Sequence, residues 1–228
     1  MLSSNELVLT ADGSHSLRSR RFGVDYHSVH GAIQESRHVF ITSGLQSLLA
    51  TGTTEVTILE MGFGSGLNAL LVRQIAEVRP DVRFTYFTYD QFPLTPTEVA
   101  GLNYPAQLGV PAKWLFDLHD CGWETPVVIT PNFTLHKRQA DYLTDDRRPY
   151  APDSADLIFY DAFAPTSQPE LWTPAAMVVN WEALKINGTL VTYCAKGQFK
   201  RNLKAVGFLV DGLPGPPGKR EMVAASKQ

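Results

Sequence analysis

The stretch Ile58–Val72, ILEMGFGSGLNALLV, constrains the fold more than any other part of the chain. An apolar run ends at three glycines spaced by two, Gly62, Gly64 and Gly66, and a second apolar run follows at once. The first run, Val56–Met61, reads as a buried strand. The second has apolar residues at 67, 70, 71, 72, 75 and 78, a helical period, and Arg79-Pro80-Asp81 stops it. Glycines between a strand and a helix let the backbone turn tightly and approach a ligand closely. The helix start then offers free N–H groups and a positive dipole end. Arg83–Tyr89 reads as the next strand, and Asp90 ends it twenty-four residues after Gly66. An acid there meets ribose hydroxyls in a dinucleotide fold. Strand, glycine loop, helix, strand and acid in this order predict a nucleoside cofactor, with NAD and S-adenosylmethionine both open.

Two details favour S-adenosylmethionine. The pattern is Glu60-x-Gly62-x-Gly64-x-Gly66, not G-x-G-x-x-G. Glu60 would also crowd a pyrophosphate with like charge, whereas a sulfonium and an α-ammonium are cations that an acidic loop tolerates. Further strands are expected at Phe133–Leu135, Ala155–Tyr160 and Thr189–Cys194, with a final pair at Phe208–Val210 and Glu221–Ala225 meeting antiparallel across DGLPGPPGK. Helices are expected at Pro174–Ile186, capped by Asn187-Gly188, and at Phe199–Val206. Strands alternating with helices predict an α/β, Rossmann-like, mostly parallel seven-stranded sheet with helices on both faces. The 228 residues fit a single domain, with 1–50 a lead-in segment and 51–228 the cofactor-binding core.

Several classes are disfavoured. There is no apolar run of roughly eighteen residues, the length of a membrane helix. The N-terminus lacks the basic-then-apolar order of a secretory signal. Cys121 and Cys194, the only cysteines, give neither a disulfide framework nor zinc spacing, so a reduced, cytoplasmic setting is expected. His27, His30 and His38 have no partner acids at metal spacing, so no metal is expected. His15, His119 and His136 read as surface or loop residues. GFGSG lacks the order of a nucleophile elbow.

Four segments and the ending resemble one family. YHSVHGAIQESRHVFI (Tyr26–Ile41), EMGFGSGLNAL (Glu60–Leu70, with Phe63 and Asn68), YDQFPLT (Tyr89–Thr95), FYDAFAPTSQPELWT (Phe159–Thr173) and GPPGKREMV are similar to the methyltransferase half of the tRNA 5-methylaminomethyl-2-thiouridine biosynthesis proteins. The resemblance spans about Tyr26 to Val223 and implies a class I S-adenosylmethionine methyltransferase acting on the 5-aminomethyl group of a tRNA wobble uridine. A methyltransferase for a small or protein amine, or a non-catalytic cofactor-binding partner of a tRNA enzyme, is the alternative. Cofactor contacts are expected from Glu60, Gly62, Phe63, Gly64, Gly66, Asn68, Asp90, Gln91, Gln139 and Ala140. Gln139 stands where the family has an acid, and Asp141 is its rival. The family's bifunctional members add a flavin-dependent oxidoreductase domain. The chain ends at Gln228, so a separate oxidoreductase is an expected partner.

Methyl transfer to an amine needs a neutral nucleophile, and a carboxylate can take its proton. Asp161, closing the fourth strand beside the expected crevice, is the candidate. Phe163, Pro165 and Trp172 are expected to wall the uridine. From Lys196 to Gln228 seven basic residues face two acidic ones, a balance of +5 on a chain of net charge -3. Lys219 and Arg220, within that end, are expected to touch tRNA phosphates.

Overall fold

The computed structural model describes residues 5–228. The chain opens with a separate hairpin, β1 (Glu6–Leu9) and β2 (His15–Arg18). A long helix follows: α1 (Ala32–Ser36), a π-helical stretch Arg37–Gln46, and α2 (Ser47–Leu49). The wide turns of the middle stretch are supported by Ser43 Oγ donating to the His38 carbonyl at 2.9 Å and Ser47 Oγ to the Thr42 carbonyl at 3.2 Å, each five residues back. The core then runs β3 (Glu55–Met61), α3 (Leu67–Val78), β4 (Arg83–Tyr89), α4 (Pro96–Ala100), α5 (Tyr104–Leu108), α6 (Ala112–Asp120), β5 (Pro126–Thr130), β6 (Phe133–Arg138), β7 (Ala155–Tyr160), α7 (Pro174–Ala183), β8 (Leu184–Thr192), α8 (Gly197–Val206), β9 (Leu209–Pro214) and β10 (Glu221–Ser226).

One sheet has the order β5-β6-β4-β3-β7-β8-β10-β9. The run β6-β4-β3-β7-β8 is parallel, and β5, β10 and β9 join it antiparallel. β3 lies at the centre, where a strand is covered on both faces. Its side chains from Val56 on are buried apart from Thr57. One apolar layer packs the long helix and α3 on one face, through Phe40, Tyr86 and Phe159. The other packs α7 and α8, through Tyr160, Trp172 and Phe199. The strand order reverses beside β3, so a crevice opens at the carboxyl ends of β3, β4, β6 and β7, where open α/β sheets bind ligands.

The sheet has eight strands, not seven. The extra one, β5, is an edge strand with Val128 exposed, returning antiparallel on β6. β6 is longer than its apolar start suggests, because its buried Lys137 and Arg138 belong to the strand. The expected helix Pro174–Ile186 ends at Ala183, and Asn187-Gly188 lies within β8. There β8 bulges: Ala155 pairs with Leu184 and Leu157 with Thr189, and Asn187 takes a φ of 65°. The carbonyls at the end of α7 are held by Lys227 Nζ, which donates to Trp181 O and Leu184 O, both at 2.8 Å. An Asn-Gly cap is therefore not needed.

Gly44 packs the long helix tightly against side chains of β7 and β8. A Cβ there would sit 3.0 Å from Val191 Cγ2 and 3.4 Å from Leu157 Cδ1. Gly44→Val is expected to overpack this contact and cost about 1–3 kcal/mol. The denaturation midpoint should fall with an unchanged slope. A midpoint equal to wild type would show that the helix can move away from the sheet freely.

Candidate active site

The glycine loop is fixed by its neighbours. Gly62 has a φ of 94°, and a Cβ on it would lie 3.1 Å from the Asp161 carbonyl oxygen. Only a glycine lets the ends of β3 and β7 meet so closely. The amides of Gly62 and Phe63 both donate to Tyr89 O, at 3.2 and 2.9 Å, and the Asp161 amide donates to Met61 O at 3.2 Å. Asp90 clasps the loop from β4: its carboxylate accepts from the Gly64 amide at 2.8 Å and the Phe92 amide at 2.7 Å. Burial pushes its proton affinity up while these two amides hold it down.

Behind the loop stands α6. Lys137 Nζ, fully buried, donates to Leu118 O at 2.8 Å and His119 O at 2.6 Å, so it caps that helix end. It also faces the rings of Trp123 and Phe63 at 4.7 and 5.3 Å. Burial pulls its proton affinity down. His119 is half-buried, and its Nε2 donates to Ser65 O at 3.1 Å, so it supports the loop and is no free surface residue. Burial lowers its pKa to about 4, so the ring is neutral at pH 7.

Two acids meet at the crevice, one beneath it and one in its lining. Glu60, 1% exposed, accepts from Thr88 Oγ1 at 2.7 Å. It does not line the crevice but sits beneath it. Burial pushes its pKa up to about 8, the Thr88 hydrogen bond opposes this, and the Asp161 charge adds to it. Asp161 lines the crevice and accepts from Asn68 Nδ2 at 2.9 Å. Burial, then the charge of Glu35, pushes its pKa up to about 7, while Asn68 and Lys219 act the other way. Asp161 thus changes charge near neutrality, where a carboxyl can both hold and release a proton.

The crevice encloses about 900 Å³ counting its open mouth. It brings together Gly62, Phe63, Gly64, Asn68, Asp90, Gln91, Ala140, Asp161 and Phe163 among the residues singled out in the sequence, with Gly66 closing the loop at the start of α3. Gln139 is exposed outside it, its amide donating to Glu124 Oε1 at 3.0 Å, and the wall there is Ala140, Asp141 and Tyr142. Pro165 is absent from the lining, and Trp172 is buried behind it. The Trp172 indole donates to Phe163 O at 2.8 Å and packs edge-on against Phe199, with ring centres 4.7 Å apart. Lys219 pairs with Glu35, and both Lys219 and Arg220 line a second, shallower groove with Tyr193, Lys196 and Glu221. Lys200 and Lys227, also counted in the basic end, pair with Glu221 and Asp153.

The sequence reading missed Phe22, Tyr26 and His27, which form the outer wall of the crevice. Phe163 meets Phe22 at 4.9 Å and Tyr26 at 5.0 Å between ring centres. These residues sit in the loop after β2; Tyr26 and His27 open the family-like segment, and only its aromatic ring marked Phe22 in the sequence. Burial lowers the pKa of His27 to about 4, so it too is neutral.

Among the lining residues there are three aspartates and one glutamate but no lysine or arginine. That donor set suits a cationic nucleoside ligand and repels a pyrophosphate. Together with the sheet, it defines the class of S-adenosylmethionine-dependent methyltransferases with a Rossmann-like core. Comparison agrees: residues 143–228 match the family described as S-adenosyl-L-methionine-dependent methyltransferase. The solved MNMC2 from Aquifex aeolicus superposes with a TM-score of 0.82 at 26% identity, covering 99% of this chain and 71% of that one. The tRNA 5-methylaminomethyl-2-thiouridine biosynthesis bifunctional protein MnmC of Aromatoleum aromaticum is 31% identical over 226 residues, 95% of this chain and 34% of that protein. The MnmC protein of Cupriavidus metallidurans is 31% identical over 239 residues, 99% of this chain and again 34% of its own length. The chain is similar to these MnmC proteins and spans about a third of their length. No helix among the described residues is long and apolar enough to cross a membrane.

The raised pKa of Glu60 links stability to pH. A buried carboxyl that is easier to protonate in the folded state favours folding most below its unfolded pKa, and that contribution is lost as pH rises through about 8. Glu60→Gln, neutral at all pH, should therefore gain thermal stability relative to wild type between pH 6 and pH 9. A melting-temperature difference that stays constant over that range would show that Glu60 is not buried as a proton-holding acid.

Proposed function

We propose that the chain transfers the methyl group of S-adenosylmethionine to the 5-aminomethyl nitrogen of a tRNA wobble uridine, with or without a 2-thio group, in the cytoplasm. The observation that carries this reading is Asp161, a carboxyl poised near neutrality on the floor of a crevice whose lining has no lysine or arginine. The likeness to proteins named for tRNA 5-methylaminomethyl-2-thiouridine biosynthesis supports the substrate.

S-adenosylmethionine supplies an electrophilic methyl group: the amine lone pair forms the N–C bond as the C–S bond breaks and its electrons pass to sulfur. The chain's own residues prepare the amine. Asp161 accepts a proton from the substrate ammonium, freeing the lone pair, and hands it to solvent after transfer. Its raised pKa narrows the gap to an alkylammonium, which makes it a stronger base than a surface aspartate. Asn68 fixes the carboxylate orientation. Orientation at this spot supplies much of the rate.

Asp90 and Gln91 are assigned the ribose, the glycine loop the methionyl part, and Ala140 with Asp141, in place of Gln139, the adenine edge. Glu60 acts from beneath the crevice and not by direct contact. Phe163, with Phe22 and Tyr26, receives the base, which a single-stranded loop can turn out and stack. Trp172 holds that wall in place. Arg220 and Lys196, in the second groove, contact phosphates. The supply of the substrate amine is assigned to a reaction that removes a carboxymethyl group, the work of a flavin-dependent oxidoreductase.

Incubation with labelled S-adenosylmethionine and bulk tRNA lacking this modification, followed by digestion, should label a 5-methylaminomethyl-uridine nucleoside. Label on protein or on free amines alone would overturn the RNA substrate. In the same assay Asp161→Asn should cut turnover by about 10²-fold or more while cofactor affinity changes far less. Wild-type turnover in that variant would leave Asp161 as a structural residue.

A further inference from the structure

Lys219 is not free to serve a phosphate. It follows Gly218, which takes a φ of 85° in the turn between β9 and β10. Its ammonium pairs with Glu35, which lies 184 residues away in the chain and has a side chain only 7% exposed. Glu35 also accepts the Ser28 amide at 2.8 Å, next to His27 in the crevice wall. The same ammonium lies 3.9 Å from the centre of the Tyr193 ring. Tyr193 in turn donates its hydroxyl to Ala162 O at 2.8 Å, one residue past Asp161. A cation, a buried anion and an aromatic ring thus converge on the peptide that carries Asp161, and they tie α1 and the β9–β10 turn to it.

We propose that Lys219 is a positioning residue: through Glu35 and Tyr193 it holds the Asp161 segment in place and keeps the Asp161 carboxyl ionised for the incoming amine. The proposal rests on the reading of Asp161 as the proton acceptor. The titratable and charged groups around Asp161 are Glu60 from β3, Tyr86 from β4, Tyr104 from α5, Glu35 from α1, Tyr193 after β8 and Lys219 from the β9–β10 turn. Lys219 is the one cation in that set. Glu35 and Lys219 push the Asp161 proton in opposite directions. Removing the lysine charge should make Asp161 harder to ionise, and removing the glutamate charge should make it easier.

The test is a pair of opposed variants. Lys219→Met should move the acid limb of the rate–pH profile, and the Asp161 titration, up by about one pH unit. Glu35→Gln should move both down. Lys219→Arg should restore most of the wild-type profile. The titration is followed directly by carboxyl-carbon NMR of aspartate-labelled protein, with Asp161 assigned from Asp161→Asn. Shifts of opposite sign support the proposal, because a merely structural role would move both the same way or neither. If Lys219→Met leaves the Asp161 titration unmoved and instead raises the Michaelis constant for tRNA and flattens its salt dependence, Lys219 is a phosphate contact and the proposal is wrong. If the titration shifts as expected but Asp161→Asn keeps wild-type turnover, the positioning stands and the reading of Asp161 as proton acceptor falls.

Discussion

The floor of the crevice depends on Gly62 having no side chain. With a φ of 94° and the Asp161 carbonyl 3.1 Å from where a Cβ would be, the ends of β3 and β7 touch backbone to backbone. That contact sets Asp161 directly beside the glycine loop. From the other side, Tyr89 and Asp90 at the end of β4 hold three successive loop amides, those of Gly62, Phe63 and Gly64. The loop has little freedom left, so a ligand on it meets a preformed surface. α6, closed by Lys137 and linked to Ser65 by His119, backs it from behind.

The electrostatics follow from the same geometry. Strand ends that meet closely exclude water, and both acids placed there, Glu60 and Asp161, bind protons more readily than exposed carboxyls. Three cations of the surrounding elements are absent from the crevice lining. Lys219 is bound to Glu35, Lys137 faces helix carbonyls, and Arg138 pairs with Asp145 at 2.7 Å. The lining is left acidic and aromatic, which fits a cofactor carrying a sulfonium and an ammonium and a substrate carrying an amine.

What could be read from the sequence was whatever local pattern determines. β3, α3 and β4 were legible because their periods are clear and glycine and proline mark their ends. Asp90 and Asp161 were legible because an acid closing an apolar strand is itself a signal. What escaped depends on distant partners. Lys137 and Arg138 look like the polar end of a strand until the α6 carbonyls and Asp145 come to meet them. Trp172 is aromatic in the right loop, but residue type does not reveal that it points into the core. Gln139 and Asp141 lie two residues apart beyond β6, and only the path of the chain puts Asp141 in the wall. Asn187-Gly188 looks like a helix end, yet Lys227 holds the α7 carbonyls and frees those residues for the β8 bulge.

The central claim is that this loop holds a cationic nucleoside cofactor and not a dinucleotide. Titrating ¹⁵N-labelled protein with S-adenosylmethionine, and separately with NAD, tests it most directly. Saturable shifts of the Gly62, Gly64, Asp90 and Ala140 amides are expected with S-adenosylmethionine and none with NAD. Amides that stay in place with S-adenosylmethionine, or that shift and saturate with NAD, would contradict it.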